Sequence, residues 1–199
     1  MKCLWFGGWG LPREYTLGFA RGVFPQGEHE VVLPTASCIK RTKTENADVL
    51  IGHSLGALLL LSCCQCWLQT QRVLLVAPIA DFRAEAHRGG RVPRAKLRAL
   101  IQWLRREPLA AVADFYRQAG LRLSAPESLP YAASELIWGI EQLASLEVQA
   151  RHEVEAAWIG ERDPLLDAES LEGDFPVLAK LPGAGHDLYD FREEVQRAL

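Results

Sequence analysis

The sequence predicts an α/β fold, a reduced and mostly parallel sheet of about six strands with helices on both faces, from three observations. Short runs rich in Val, Ile, Leu and Trp are bounded by Gly, Pro or polar residues, the pattern of strands buried on both faces. Segments with helical spacing of apolar residues alternate with those runs. With 199 residues and 49% apolar content the chain can bury one sizeable core, so a single domain is expected.

Lys2–Phe6 is the first strand; one Lys and an apolar stretch broken by Gly7, Gly8 and Gly10 lack the small-residue cleavage site of a signal peptide. Glu30–Leu33 and Val49–Gly52 follow as strands. Leu55–Leu68 reads as a buried helix, interrupted by Ser62 and Gln65 and shorter than the roughly 20 apolar residues that cross a bilayer. Arg72–Ala77 is the fourth strand. The alternation then lapses into a helical cap at about 82–152, with amphipathic helices at Lys96–Arg105, Leu109–Gly120 and Tyr131–Leu146 separated by Pro108, Pro126 and Pro130. Arg88–Arg91, an Arg-Gly-Gly-Arg stretch, is the candidate flexible hinge. Ala156–Gly160 and Val177–Leu181 complete the sheet, and Glu193–Leu199 is a helix.

A formal charge of −3, from 22 Lys and Arg against 25 Asp and Glu, gives no global attraction for nucleic acid or an anionic membrane surface. The cysteines Cys3, Cys38, Cys63, Cys64 and Cys66 are odd in number and three crowd into one apolar segment, which fits reduced thiols in a cytoplasmic protein. That cluster has neither Cys-x-x-Cys pairs nor a nearby His, so no metal is expected, and nothing calls for another cofactor.

Chemistry enters at Gly52-His53-Ser54-Leu55-Gly56, a Gly-x-Ser-x-Gly pattern set between a β-branched apolar run and a helix-like one. A sharp strand-to-helix turn strains the central residue, and small residues two positions to either side keep it free of clashes. Ser54 is therefore the candidate nucleophile, and Leu55 N–H, at the start of the helix, a candidate oxyanion donor. A serine hydroxyl needs a base oriented by a carboxylate, in the chain order Ser, acid, His. Asp163, in the loop after Ala156–Gly160, is the candidate acid, and His186, in the small-residue loop after Val177–Leu181, the candidate base. Asp167 and Asp187, and His29, His53, His87 and His152, fit that order less well; His53 is read as a neighbour that shapes the pocket. The glycine-rich Phe6-Gly7-Gly8-Trp9-Gly10 makes Trp9 N–H the second candidate oxyanion donor.

With these residues in place the chain resembles the α/β-hydrolase superfamily, and within it the carboxylesterases of the biotin pathway that hydrolyse pimeloyl-acyl-carrier-protein methyl ester. Gly8-Trp9-Gly10-Leu11 is similar to that family's oxyanion loop, Gly52–Gly56 to its nucleophile elbow, Gly160–Asp163 to its acid loop and Gly183–His186 to its histidine loop. Asp114–Ala119 and Trp138–Glu147 are more weakly similar to its cap helices. Gly7 stands where the family usually has His, and the connection from Leu33 to Asp48 is short.

The resemblance implies an acyl-enzyme mechanism on a small acyl ester carried on acyl carrier protein. Trp9, Phe115 and Trp138 are the candidate substrate contacts, with Leu136 and Ile140 as further apolar cap residues. Arg88, Arg91, Arg94 and Arg98, in a segment whose acids are few, are the candidate contacts for an acidic carrier. A thioesterase or general short-chain esterase would use the same triad. An α/β-hydrolase scaffold kept only for binding is the reading of another class.

Overall fold

The computed structural model describes residues 1–41, 46–63, 71–149 and 154–199. Six parallel strands form one sheet in the order β2-β1-β3-β4-β7-β8: β1 (Lys2–Phe6), β2 (Glu28–Val32), β3 (Val49–His53), β4 (Arg72–Val76), β7 (Ala156–Gly160) and β8 (Leu178–Leu181). The expected strands are all present, with ends shifted by one or two residues.

Side chains alternate across the strands, which divides the core in two. Cys3, Trp5, Val49, Ile51, Leu74 and Val76 face α1 (Arg13–Val23) and α7 (Arg192–Ala198), where Phe19, Phe191 and Val195 complete one cluster. Leu4, Phe6, Leu50, Val73 and Leu75 face α3 (Leu55–Cys63) and the cap. Both faces are covered, which is why the strands read as continuous apolar runs. In α3, Leu55 and Ala57 through Leu61 are all buried, as expected of a helix apolar on every side. The stretch 64–70, where that helix was expected to continue, lies outside the described residues, and so do Cys64 and Cys66 of the cysteine cluster. Two helices were not anticipated: α1, and the short α2 (Ala36–Arg41) in the connection from Leu33 to Asp48.

The cap helices are α4 (Arg94–Arg106), α5 (Pro108–Gln118) and α6 (Ala133–Ser145). Pro108 opens α5 at a position where its missing N–H costs nothing. One expectation is corrected. The insertion begins with a small parallel ribbon, β5 (Asp81–Arg83) and β6 (Gly89–Val92), so Arg88–Arg91 is not a hinge. Its glycines answer a packing demand instead: a Cβ on Gly90 would lie 2.2 Å from the Phe82 carbonyl carbon, and Gly89 holds φ +85°.

The sheet changes direction at β1, which is flanked by β2 on one side and β3 on the other. Ligands of open α/β sheets bind beyond the strand C-termini at such a switch point. Strand register converges the loops there. Phe6 pairs with Gly52 and Gly160 with Leu181, so the segments holding Trp9, Ser54, Asp163 and His186 leave one edge of the sheet. None of the described helices is long and apolar enough to cross a membrane.

Candidate active site

Ser54 sits between β3 and α3 at φ 53°, a left-handed conformation that non-glycine residues seldom adopt. Its N–H donates to Val76 O at 3.0 Å and its carbonyl accepts from Leu58 N at 3.1 Å, fixing the turn to the neighbouring strand and to the first turn of α3. A Cβ on Gly52 would lie 2.6 Å from Ala57 Cα, and one on Gly56 2.1 Å from Phe6 O. Only glycine lets α3 pack this close to β1 and β3.

His186 lies between Ser54 and Asp163. Its Nδ1 is 2.6 Å from Asp163 Oδ2 and its Nε2 2.8 Å from Ser54 Oγ. The carboxylate is an acceptor, so the ring proton belongs on Nδ1 and the Nε2 lone pair faces the serine hydroxyl, the tautomer a general base requires. Asp163 is fully buried and its second oxygen accepts from Leu165 N and Leu166 N at 2.8 and 3.1 Å, which fixes the carboxylate plane. Asp167 and Asp187 lie elsewhere: the first pairs with Arg91, and the second accepts from Tyr15 Oη, Arg122 N and Tyr189 N.

The acid and histidine loops are fastened to each other. Arg162 N donates to Ala184 O at 2.9 Å, and a Cβ on Gly160 would lie 2.3 Å from that same oxygen. Asp187 then joins the histidine loop to α1 through Tyr15 and to the cap through Arg122. Sequence order pointed to Asp163 but gave no sign of Asp187 as this junction, because Tyr15 and Arg122 are remote from it in the chain.

Leu55 N–H, at the first position of α3, has no acceptor within the helix. Trp9 N–H likewise has no hydrogen-bond acceptor among the described residues. The two amides leave paired strands at the switch point and remain the candidate oxyanion donors.

His53 is buried against His186 and its Nε2–H donates to His186 O at 3.1 Å, while its Nδ1 has no partner among the described residues. Burial, reinforced by the nearby His186, lowers its pKa to about 4. The unfolded chain therefore takes up this proton first as pH falls. The stability it reflects is complete above the ordinary value of 6.5 and is lost as pH drops towards 4. Replacing His53 with Gln, which keeps an N–H for the His186 carbonyl, is expected to remove about 3 kcal/mol of this acid sensitivity. Melting temperatures of both proteins from pH 7 to pH 4 test it: parallel curves would contradict it.

A cavity of about 470 Å³ opens between α4, α5 and the segment just after Asp163, within the range of small-molecule sites. Phe115, Ile140, Leu97 and Leu165 line it. Three of the expected apolar contacts lie away from this cavity. The Trp9 indole is 2% exposed, donates to Leu136 O at 2.8 Å and packs edge-on against Phe115, so it belongs to the core. Trp138 lies two residues from Ile140, roughly 200° around α6, and does not line the cavity. Leu136 is fully buried in the core and does not line it either.

The basic segment is also thinner than its sequence suggests. Arg88 pairs with Asp174, and Arg91 pairs with Asp167 at 2.8 Å while donating to Asp163 O at 2.8 Å. Their acids come from beyond the cap, out of reach of a local charge count. Arg94 and Arg98 have no ion-pair partner among the described residues. Among those residues no group of three or more His, Cys, Asp or Glu is arranged to hold a metal ion.

Residues 7–198 match the sequence profile of the alpha/beta hydrolase family. The chain belongs to that family. No curated protein matches it in sequence. Its fold is similar to the esterase EaEST from Exiguobacterium antarcticum, with TM-score 0.71 and 13% identity over 100% of this chain and 90% of the other. It is similar to BioG from Haemophilus influenzae, with TM-score 0.65 and 13% identity over 93% and 88% of the two chains. It is also similar to the RedJ thioesterase of the prodiginine biosynthetic pathway in Streptomyces coelicolor, with TM-score 0.58 and 14% identity over 100% and 90%. In this alpha/beta hydrolase the six-stranded parallel sheet and the elbow are retained, and the cap packs over one end of the strands.

Proposed function

We propose that this alpha/beta hydrolase is a serine carboxylester hydrolase working through an acyl-enzyme. The reading is carried by one observation, the continuous Asp163–His186–Ser54 hydrogen-bond chain in a buried site. His186 Nε2 takes the Ser54 proton as Oγ attacks the carbonyl carbon, and the Trp9 and Leu55 amides receive the charge on the carbonyl oxygen. Collapse of the tetrahedral adduct expels the alcohol, which takes its proton from His186. Water, deprotonated by the same imidazole, then releases the acid and frees Ser54, while Asp163 holds the ring and stabilises its cationic form.

The cavity beside the acid loop, lined mostly by apolar side chains with Arg91, Lys96, Asp114 and Gln118 among them, suits an acyl chain with a polar end. The substrate implied by the sequence resemblance is pimeloyl-acyl-carrier-protein methyl ester, which would place the enzyme in biotin synthesis in the cytoplasm. The cations Arg94 and Arg98, which have no ion-pair partner among the described residues, favour an acidic carrier as partner. A thioesterase reading is favoured by the likeness to RedJ and uses the same atoms, with a thiol leaving.

Hydrolysis of a matched free ester, free thioester and carrier-linked ester, at low and high salt, separates these. The carrier-linked ester should be preferred, with the preference falling at high salt and in Arg94→Glu/Arg98→Glu. Equal rates on free and carrier-linked ester, insensitive to salt, would reduce the enzyme to a general esterase. Faster thioester cleavage would make it a thioesterase.

A further inference from the structure

We infer that two cap tyrosines, Tyr116 and Tyr131, are positioning residues that hold the Gly8–Leu11 turn, and with it the Trp9 amide, in the shape that receives the oxyanion. The inference rests on the hydrolase reading of Ser54.

Leu11 N donates to Gly8 O at 3.4 Å, closing a four-residue turn whose third residue, Gly10, has φ +71°. A turn with positive φ at that position needs glycine or asparagine, and its central peptide planes define where its remaining N–H groups point. The Gly8 carbonyl and the Trp9 N–H belong to one trans peptide. With the carbonyl turned into the Leu11 bond, the Trp9 N–H points the opposite way, out of the turn.

The cap then grips both sides of Gly10. Gly10 N donates to Tyr131 Oη at 2.6 Å, and Tyr116 Oη donates to Gly10 O at 2.6 Å. Burial pushes the Tyr116 hydroxyl up to about 12, and burial raises that of Tyr131 too, so both stay protonated near neutral pH. A third tether runs from the Trp9 indole N–H to Leu136 O. Behind the turn stands His53, whose Nδ1 would lie 2.9 Å from a Cβ on Gly8.

The turn is thus pinned between the cap on one side and the elbow on the other, by partners up to 127 residues away in sequence. Gly7 does none of this: a Cβ there would meet Thr16 Oγ1 at 3.5 Å, an ordinary contact. In this chain the oxyanion loop takes its shape from the cap. Phe115, the neighbour of Tyr116, lines the cavity beside the acid loop, so one helix borders that cavity and grips the turn.

Phe at either position keeps the ring and removes only the hydroxyl. Tyr131→Phe and Tyr116→Phe are each expected to lower kcat about tenfold, and the double variant about 100-fold, with KM changed less than about threefold. The decisive readout is inhibition by a trifluoromethyl ketone, whose serine adduct carries the oxyanion. Its Ki should rise in proportion to the loss in kcat/KM across the series, which a merely structural role would not produce. Unchanged kcat, or reduced kcat with unchanged ketone affinity, would overturn the assignment. If Tyr131→Phe fails to fold, Tyr116→Phe carries the test through the other bond to Gly10. A wild-type Ser54 that no fluorophosphonate modifies would overturn the hydrolase reading and this one with it. Labelling at Ser54 with unaffected variants would overturn the tyrosine assignment alone.

Discussion

Ser54→Ala should lower ester turnover by at least about 10⁴-fold while moving the melting temperature by no more than a few degrees. The hydroxyl takes part in one hydrogen bond, to His186 Nε2, and contributes nothing to the turn, which is held by Ser54 N–H, its carbonyl and the flanking glycines. Alanine keeps the strained φ of 53° and deletes only the attacking atom. Asp163→Asn should cost about 10⁴-fold by another route: the amide can donate to His186 Nδ1, which moves the ring proton to Nε2 and leaves no lone pair for the serine hydroxyl. Because the three residues act as one unit, the double variant of Ser54→Ala with His186→Ala should be no slower than the single. Steady-state rates on an activated ester, with melting curves for each variant, check both points.

Gly56→Ala is expected to be the most damaging small substitution in the chain. Its Cβ would lie 2.1 Å from Phe6 O, and backbone carbonyls of β1 cannot rotate away as a side chain can. Relief requires α3 to lift from the sheet, taking the buried Leu58, Leu59 and Leu61 with it. We expect a loss of at least about 4 kcal/mol, seen as a melting temperature lower by about 8–16 °C or as insoluble protein. Gly173→Ala is the matched control, since nothing lies within 4 Å of its Cβ and its φ is not positive. Similar melting temperatures for the two variants would refute this account of the elbow.

The difference between these glycines shows what could be read from the sequence. Gly52 and Gly56 declared themselves because their purpose is local: a strand, a turn and a helix adjoin within a few residues, and the clash they avoid recurs at every turn of that geometry. The same holds for the apolar strands, whose burial on both faces erases alternation, and for the order in which Asp163 and His186 follow Ser54. What stayed hidden is held by long-range contacts. Tyr131 meets Gly10 across 121 residues and Asp187 meets Arg122 across 65, and neither pairing leaves a mark in composition or periodicity. The β5–β6 ribbon was obscured because its glycines look like a hinge, whereas their missing Cβ atoms permit backbone contact. The charges of Arg88 and Arg91 were overcounted for a related reason, as Asp174 and Asp167 approach them only through the fold. The loop that carries Trp9 could be read from its glycines, but not that the indole turns inward to close the core against Phe115.

The central claim is that His186 activates Ser54 for attack on an acyl carbon. Reaction with a fluorophosphonate, followed by mass spectrometry of the digested protein, tests it most directly. The account predicts one phosphonyl group per chain, on the peptide containing Ser54, absent in Ser54→Ala and strongly slowed in His186→Ala. Equal labelling of all three proteins, or modification at another serine, would contradict it.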